Sequence, residues 1–115
     1  VYKRQQYKDV VMYHLFSKME DEMNPRLIQS ELYREVAKYD REHHSAYEKT
    51  VLCYLKNDCS ATRTAAELGI HRNTVRNMIL SVEETYGISL DDAEEKMRYI
   101  LSEQIEQYFV SKNER

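Results

Sequence analysis

The chain has 115 residues, 42% of them hydrophobic and 32% charged, and a formal net charge of -3. That length supports one domain, or one domain with a segment of a neighbour. Two Gly and one Pro are too few turn residues for a β-sandwich or barrel, and the chain reads as helices from end to end, so an all-α, multi-helix domain is expected.

From Tyr7 to Met19, apolar side chains recur at helical spacing in two sets. Tyr7, Val11, His14 and Leu15 form one, and Met12, Phe16 and Met19 the other, which predicts a mostly buried first helix. His14 is expected in the core or at its boundary. Asn24 suits a cap and Pro25 a first helical position, so a second helix is expected from Arg26 to about Glu42. Its inward set is Leu27 or Ile28, Leu32, Val36 and Tyr39. Ser45, with Glu48 three positions on, has the capping-box pattern for a third helix. Tyr47, Val51, Leu52, Tyr54 and Leu55 are its buried stripe. Asn57 to Ser60 is a polar break, and Ser60 caps a short fourth helix, Ala61 to Leu68, which Gly69 ends. A fifth helix runs from about Arg72 to Tyr86, with Val75, Ile79, Val82 and Tyr86 inside, and Gly87 stops it. Ile88 to Leu90 reads as a linker, and Ser89 or Asp91 as the cap of a sixth helix. The apolar stripe of that helix is Ala93, Met97, Ile100 or Leu101, Ile105, and Tyr108 or Phe109.

No catalytic, cofactor or metal site emerges. Gly69 and Gly87 are too far apart for a phosphate loop. Cys53 and Cys59 lack a second pair that would complete four metal ligands, so two reduced thiols are expected. His43 and His44 are adjacent, so on a helix they point about 100° apart. There is no membrane span and no secretory pattern, and a cytoplasmic location is expected. A start at Val1 is expected of a piece of a longer chain.

Charge is unevenly placed. Residues 1–59 are balanced, residues 81–115 carry a net -5, and residues 60–80 hold Arg63, Arg72 and Arg76 against Glu67 alone. That basic stretch has the layout of a helix-turn-helix. Ala65 is small enough for a close crossing, and Gly69 supplies the turn. Leu68, Ile70, Val75 and Ile79 are expected to seal the inside. Arg72, Asn73, Arg76, Asn77 and Leu80 are then left outside, with His71 at the N-terminal end. Such a face suits a major groove. Arg72 or Arg76 matches the acceptors of guanine, and Asn73 or Asn77 those of adenine. Ser60, Thr62 and Thr74 suit phosphate oxygens, as does Arg63, and His71 suits a phosphate or a base edge.

The runs Thr50-Val51-Leu52-Cys53-Tyr54-Leu55, Ser60-Ala61-Thr62, His71-Arg72-Asn73-Thr74-Val75-Arg76 and Glu83-Glu84-Thr85-Tyr86-Gly87-Ile88-Ser89-Leu90-Asp91-Asp92 resemble the C-terminal helix-turn-helix domain of the PucR family. Tyr39-Asp40-Arg41-Glu42-His43 resembles the segment that leads into it. The resemblance covers roughly residues 30–101, and the helix-turn-helix is also similar to the DNA-binding unit of Fis-like proteins. It implies a bacterial transcription regulator that binds double-stranded DNA as a homodimer. A small-molecule effector is then sensed by upstream domains. The division so implied is an N-terminal helical segment, 1–44, leading in from a sensor domain, and a DNA-binding domain with its C-terminal helix, 45–115. Arg72 and Arg76 inherit base or phosphate contacts, and Ser60, Thr62, Asn73 and Thr74 backbone positioning. Where members often continue with Tyr-Arg, this chain has Asn77-Met78, one positive charge fewer. The first and sixth helices are the candidate dimer surfaces, although the sixth helix's stripe also suits packing within the chain. The alternative reading is a helical interaction or signalling module that does not bind DNA.

Overall fold

The computed structural model describes the backbone of residues 2–113 and the side chains from Val10 to Asn113. The chain is all-α: α1 (Tyr2–Glu20), a 3₁₀ turn (Pro25–Ile28), α2 (Glu31–His43), α3 (Tyr47–Lys56), α4 (Ala61–Leu68), α5 (Arg72–Tyr86) and α6 (Ala93–Asn113). Tyr7, expected on a buried stripe, lies outside the described side chains.

The starts of α4 and α5 are set by local caps alone, that of α2 by a local cap held in place by α6, and that of α3 by a side chain reaching over from α2. Asn24 does cap, accepting from the Arg26 amide at 3.0 Å, but it opens only the 3₁₀ turn. The expected helix from Arg26 is therefore divided. Ser30 starts α2 by accepting from the Tyr33 amide at 2.9 Å, while its own amide donates to Ser102 Oγ on α6 at 2.7 Å. Gln29 Nε2 donates to the Ser102 carbonyl at 3.1 Å and to Glu106 at 2.9 Å, so the break is stitched to α6. Leu27 and Ile28, expected inward, are exposed on that turn. The capping box at Ser45 does not form. The Asp40 carboxylate at the end of α2 caps α3 instead, accepting from the amides of Tyr47 (3.0 Å) and Glu48 (2.8 Å) and from Ser45 Oγ (2.6 Å). At α6 the cap is Asp92, accepting from Glu94 and Glu95, rather than Ser89 or Asp91.

Two cores result, and α6 belongs to both. The larger joins Leu32, Tyr33 and Val36 of α2, Val51 and Leu55 of α3, Ala65 of α4, Val75, Ile79 and Val82 of α5, Leu90, and Tyr99 of α6. Leu90 is no mere linker. It is fully buried, its amide is held by Glu83 Oε2 at 2.9 Å, and it plugs the corner between α5 and α6. The smaller core is Phe16, Ile105 and Tyr108, flanked by Met12, Tyr13, Met19, Leu101 and Phe109. The distal stripe of α6 is thus covered by α1 of the same chain.

Only one of the two sets expected inside α1 is inside. Val11, His14 and Leu15 are exposed, as is Val10, because among the described residues α1 packs on α6 and the 3₁₀ turn by its other face. The stripe of α6 is also rotated from expectation. Ala93 and Met97 are exposed, and Tyr99 and Ser102 are fully buried. Ser102 is tolerated inside because its hydroxyl accepts from Ser30 and donates to the Arg98 carbonyl at 2.7 Å. Tyr39, expected inward, is exposed at the end of α2, where its ring stacks on His43 at 4.0 Å. The radius of gyration, 15.1 Å, exceeds the roughly 13 Å of a single compact ball of this length, as a second core on a long shared helix requires.

One polar group inside is uncompensated. Among the described residues, Glu48 Oε1 is the buried side-chain oxygen without a hydrogen-bond partner. Burial raises this carboxyl to about 7, the negative charges of Glu103 and Asp40 push the same way, and Lys56 opposes them.

Candidate nucleic-acid interface

The sharpest local geometry lies between α4 and α5. Ser60 Oγ accepts from the Arg63 amide at 3.1 Å and opens α4. The Thr64 hydroxyl, fully buried, donates back to the Ser60 carbonyl at 2.7 Å and ties the first turn down. Ala65 is buried among the helices as a small contact residue. Gly69 ends α4 in the left-handed conformation, φ +69°, and the Ala65 carbonyl accepts both its amide and that of Ile70. A Cβ at Gly69 would meet nothing within 4 Å, so backbone torsion rather than space makes glycine the suitable residue.

His71 then opens α5. Its Nδ1 accepts from the Asn73 amide at 3.1 Å, which leaves Nε2–H as the donor of the neutral ring. Val75 (0% exposed), Ile79 and Val82 anchor α5 in the larger core. Leu68, at the end of α4, is half-buried. Ile70, expected to seal the angle, is exposed instead, because the left-handed turn carries it outward past the end of α4.

Each residue expected to touch nucleic acid has a definite place. Arg72, Asn73, Thr74, Arg76 and Asn77 are exposed along α5, as is His71 before it. Among the described residues neither Arg72 nor Arg76 has an ion-pair partner. Thr62 and Arg63 are exposed on α4, and Ser60 is half-buried at its start. Arg63 Nη1 lies 3.9 Å from Asp58 Oδ2, with both side chains mostly in water, so this contact holds it weakly. Ser60 and His71 therefore have structural duties at the helix starts, whereas the arginines and asparagines of α5 do not.

The acid of this stretch is occupied elsewhere. Glu67 accepts from the buried Cys53 thiol at 2.9 Å and from Asn57 Nδ2 at 3.4 Å, both at the end of α3. The thiol first and the amide second hold its carboxyl below the usual carboxylate range. Burial, and then Glu67 itself, pushes the Cys53 thiol up, so the thiol stays a proton donor. Composition gave no hint of this clasp, since Cys53 and Glu67 lie fourteen positions apart on different helices. Both cysteines are free thiols. Among the described residues no helix is long and apolar enough to cross a membrane.

Comparison with known proteins agrees with this geometry. The family model of the PucR C-terminal helix-turn-helix domain matches residues 47–103, from the start of α3 into the middle of α6. Over 49 residues the chain is 47% identical to a Thermomonospora curvata protein described as "Uncharacterized protein in pkwA 5'region". That stretch covers 43% of this chain and 27% of the length of that protein. No solved structure matches.

Proposed function

We propose, from the premise that residues 47–103 belong to the PucR C-terminal helix-turn-helix domain family, that the chain is the sequence-specific DNA-binding part of a bacterial transcription regulator. The observation that carries this reading is the outer face of α5. Arg72, Asn73, Arg76 and Asn77 are exposed, the two guanidinium groups have no ion-pair partner among the described residues, and no acid occurs from Gly69 to Val82. An ordinary solvated face mixes acids with bases. This face offers forked and planar donors of the kind that base edges accept.

In this reading α5 enters the major groove by its N-terminal end, and α4 lies across the phosphate backbone. Arg72 and Arg76 supply guanine or phosphate contacts, and Asn73 and Asn77 suit adenine. Thr62, Arg63, Thr74, the Ser60 hydroxyl and His71 Nε2–H position the backbone. One such unit makes few contacts, so two copies on half-sites about one helical turn apart complete the site. A small-molecule effector acts through domains upstream, in the cytoplasm. Two arginines on α5 also imply a modest salt dependence, with each neutralised phosphate adding about 0.9 to the slope.

Selection from a random duplex pool tests this reading. Enrichment of a two-fold symmetric site is expected. Arg72→Ala and Arg76→Ala should each weaken its binding by about 1–3 kcal/mol and relax one or two positions. Equal enrichment by both variants would remove α5 as the reading element.

A further inference from the structure

Leu80 is an apolar residue at the far end of that polar face, and 52% of it is exposed. With about 100° per residue, its direction falls between those of Arg76 and Asn77, one turn further along the helix. Asn73 lies two turns behind it on the same line. Leu80 therefore has no part in the stripe of Val75, Ile79 and Val82, which is buried. The next turn places the exposed Glu84 on this face, where a carboxylate repels phosphate. The face that nucleic acid can meet thus runs from Arg72 to Leu80 and ends there.

A duplex offers one apolar feature in the major groove, the C5-methyl group of thymine. We propose that Leu80 reads a thymine methyl and so is a specificity-determining residue of α5. This rests on α5 being the groove-entering helix. Arginine and asparagine at the leading end take hydrogen-bonding edges. Leu80, about 12 Å along the axis from Arg72, takes a base pair further into the site. A methyl group set against a leucine releases water from both surfaces, and neither group requires a hydrogen bond there.

The test uses the duplex enriched by the wild-type chain. Each thymine is replaced singly by uracil, which removes one methyl group and leaves the hydrogen-bonding edge intact. Binding is measured for the wild type and for Leu80→Ala, whose exposed position makes folding insensitive to the change. At one position per half-site, uracil should weaken the wild type about threefold to tenfold. Leu80→Ala should lose a similar factor on thymine and show no preference between the two bases there. If Leu80→Ala discriminates as strongly as the wild type, or if no position responds to the methyl group, this inference is overturned while the DNA-binding reading stands. If the wild type enriches no duplex, both are overturned.

Discussion

The protein has basic side chains in two settings, and they are treated in opposite ways. Along the seam that α6 makes with α1 and the 3₁₀ turn, cations are matched to anions. Arg26 meets Glu106 through Nε at 3.0 Å and Nη2 at 3.3 Å, and its guanidinium lies 4.0 Å over the Phe109 ring. Lys112 pairs with Glu20 at 2.6 Å, and Glu20 also accepts from the Tyr108 hydroxyl. Along the outer face of α5, Arg72 and Arg76 have no such partner among the described residues, and Glu67 is held back on α3 by Cys53 and Asn57. The first arrangement orients a long helix on its neighbour. The second leaves donors available for something outside the chain. The same residue type is thus paired within the chain in one region and left unpaired in the other, and the proposed function rests on that difference.

The contrast extends to the cores and can be broken there first. Phe16→Ala removes the centre of the smaller core and should cost about 3–5 kcal/mol of local stability. Hydrogen exchange should then quicken along α1 while α4 and α5 keep their protection. Ile79→Ala, in the larger core, should cost about 2–5 kcal/mol and quicken exchange throughout the chain. Uniform loss of protection in both variants would mean that the two cores are one cooperative unit.

Glu48 sharpens the comparison by proton linkage. Below the ordinary value of 4.5 both folded and unfolded chains hold the proton, and burial costs nothing. From there to about 7 the folded chain keeps a proton that the unfolded chain releases, so stability should fall as pH rises, and above about 7 the full cost is present. Glu48→Gln should therefore gain about 1–3 kcal/mol over the wild type at pH 8 and little at pH 4.5. Parallel melting curves across that range would contradict a buried, unpaired carboxyl.

Smaller effects are expected at the surface. Arg26→Ala breaks a half-exposed pair and a ring contact, and should cost about 1 kcal/mol, less in high salt. His44 ends α2 with φ +54°, so His44→Gly should stabilise the fold by a few tenths to about 1 kcal/mol, measured by thermal melting.

The pattern of what was legible in the sequence has a physical cause. The bounds expected for α4 and α5 are those observed, because Ser60, Gly69 and Gly87 act on backbone within a few residues of themselves. The exposed set on α5 comes from the same local geometry. What escaped depends on partners beyond the adjacent turn, or on which of several neighbouring candidates the backbone turns toward the amides. Asp40 displaces Ser45 as the cap of α3, Ser102 draws Ser30 into the start of α2, and Asp92 rather than its neighbours faces the α6 amides. In α1, two apolar sets had helical spacing. Only the contact with Ile105 and Tyr108 of α6 decided that Phe16, rather than Val11 or Leu15, is buried. Periodicity locates an amphipathic face, and the neighbour decides which face it is.

The most direct test sets the two kinds of arginine against each other. Arg76→Ala and Arg26→Ala are titrated with the same enriched duplex, and both are melted without it. Arg76→Ala should bind at least fivefold more weakly, from a loss of about 1–3 kcal/mol, and melt as the wild type does, while Arg26→Ala should melt lower and bind normally when folded. If Arg76→Ala binds as tightly as the wild type, the unpaired face of α5 is not what the chain uses to hold DNA.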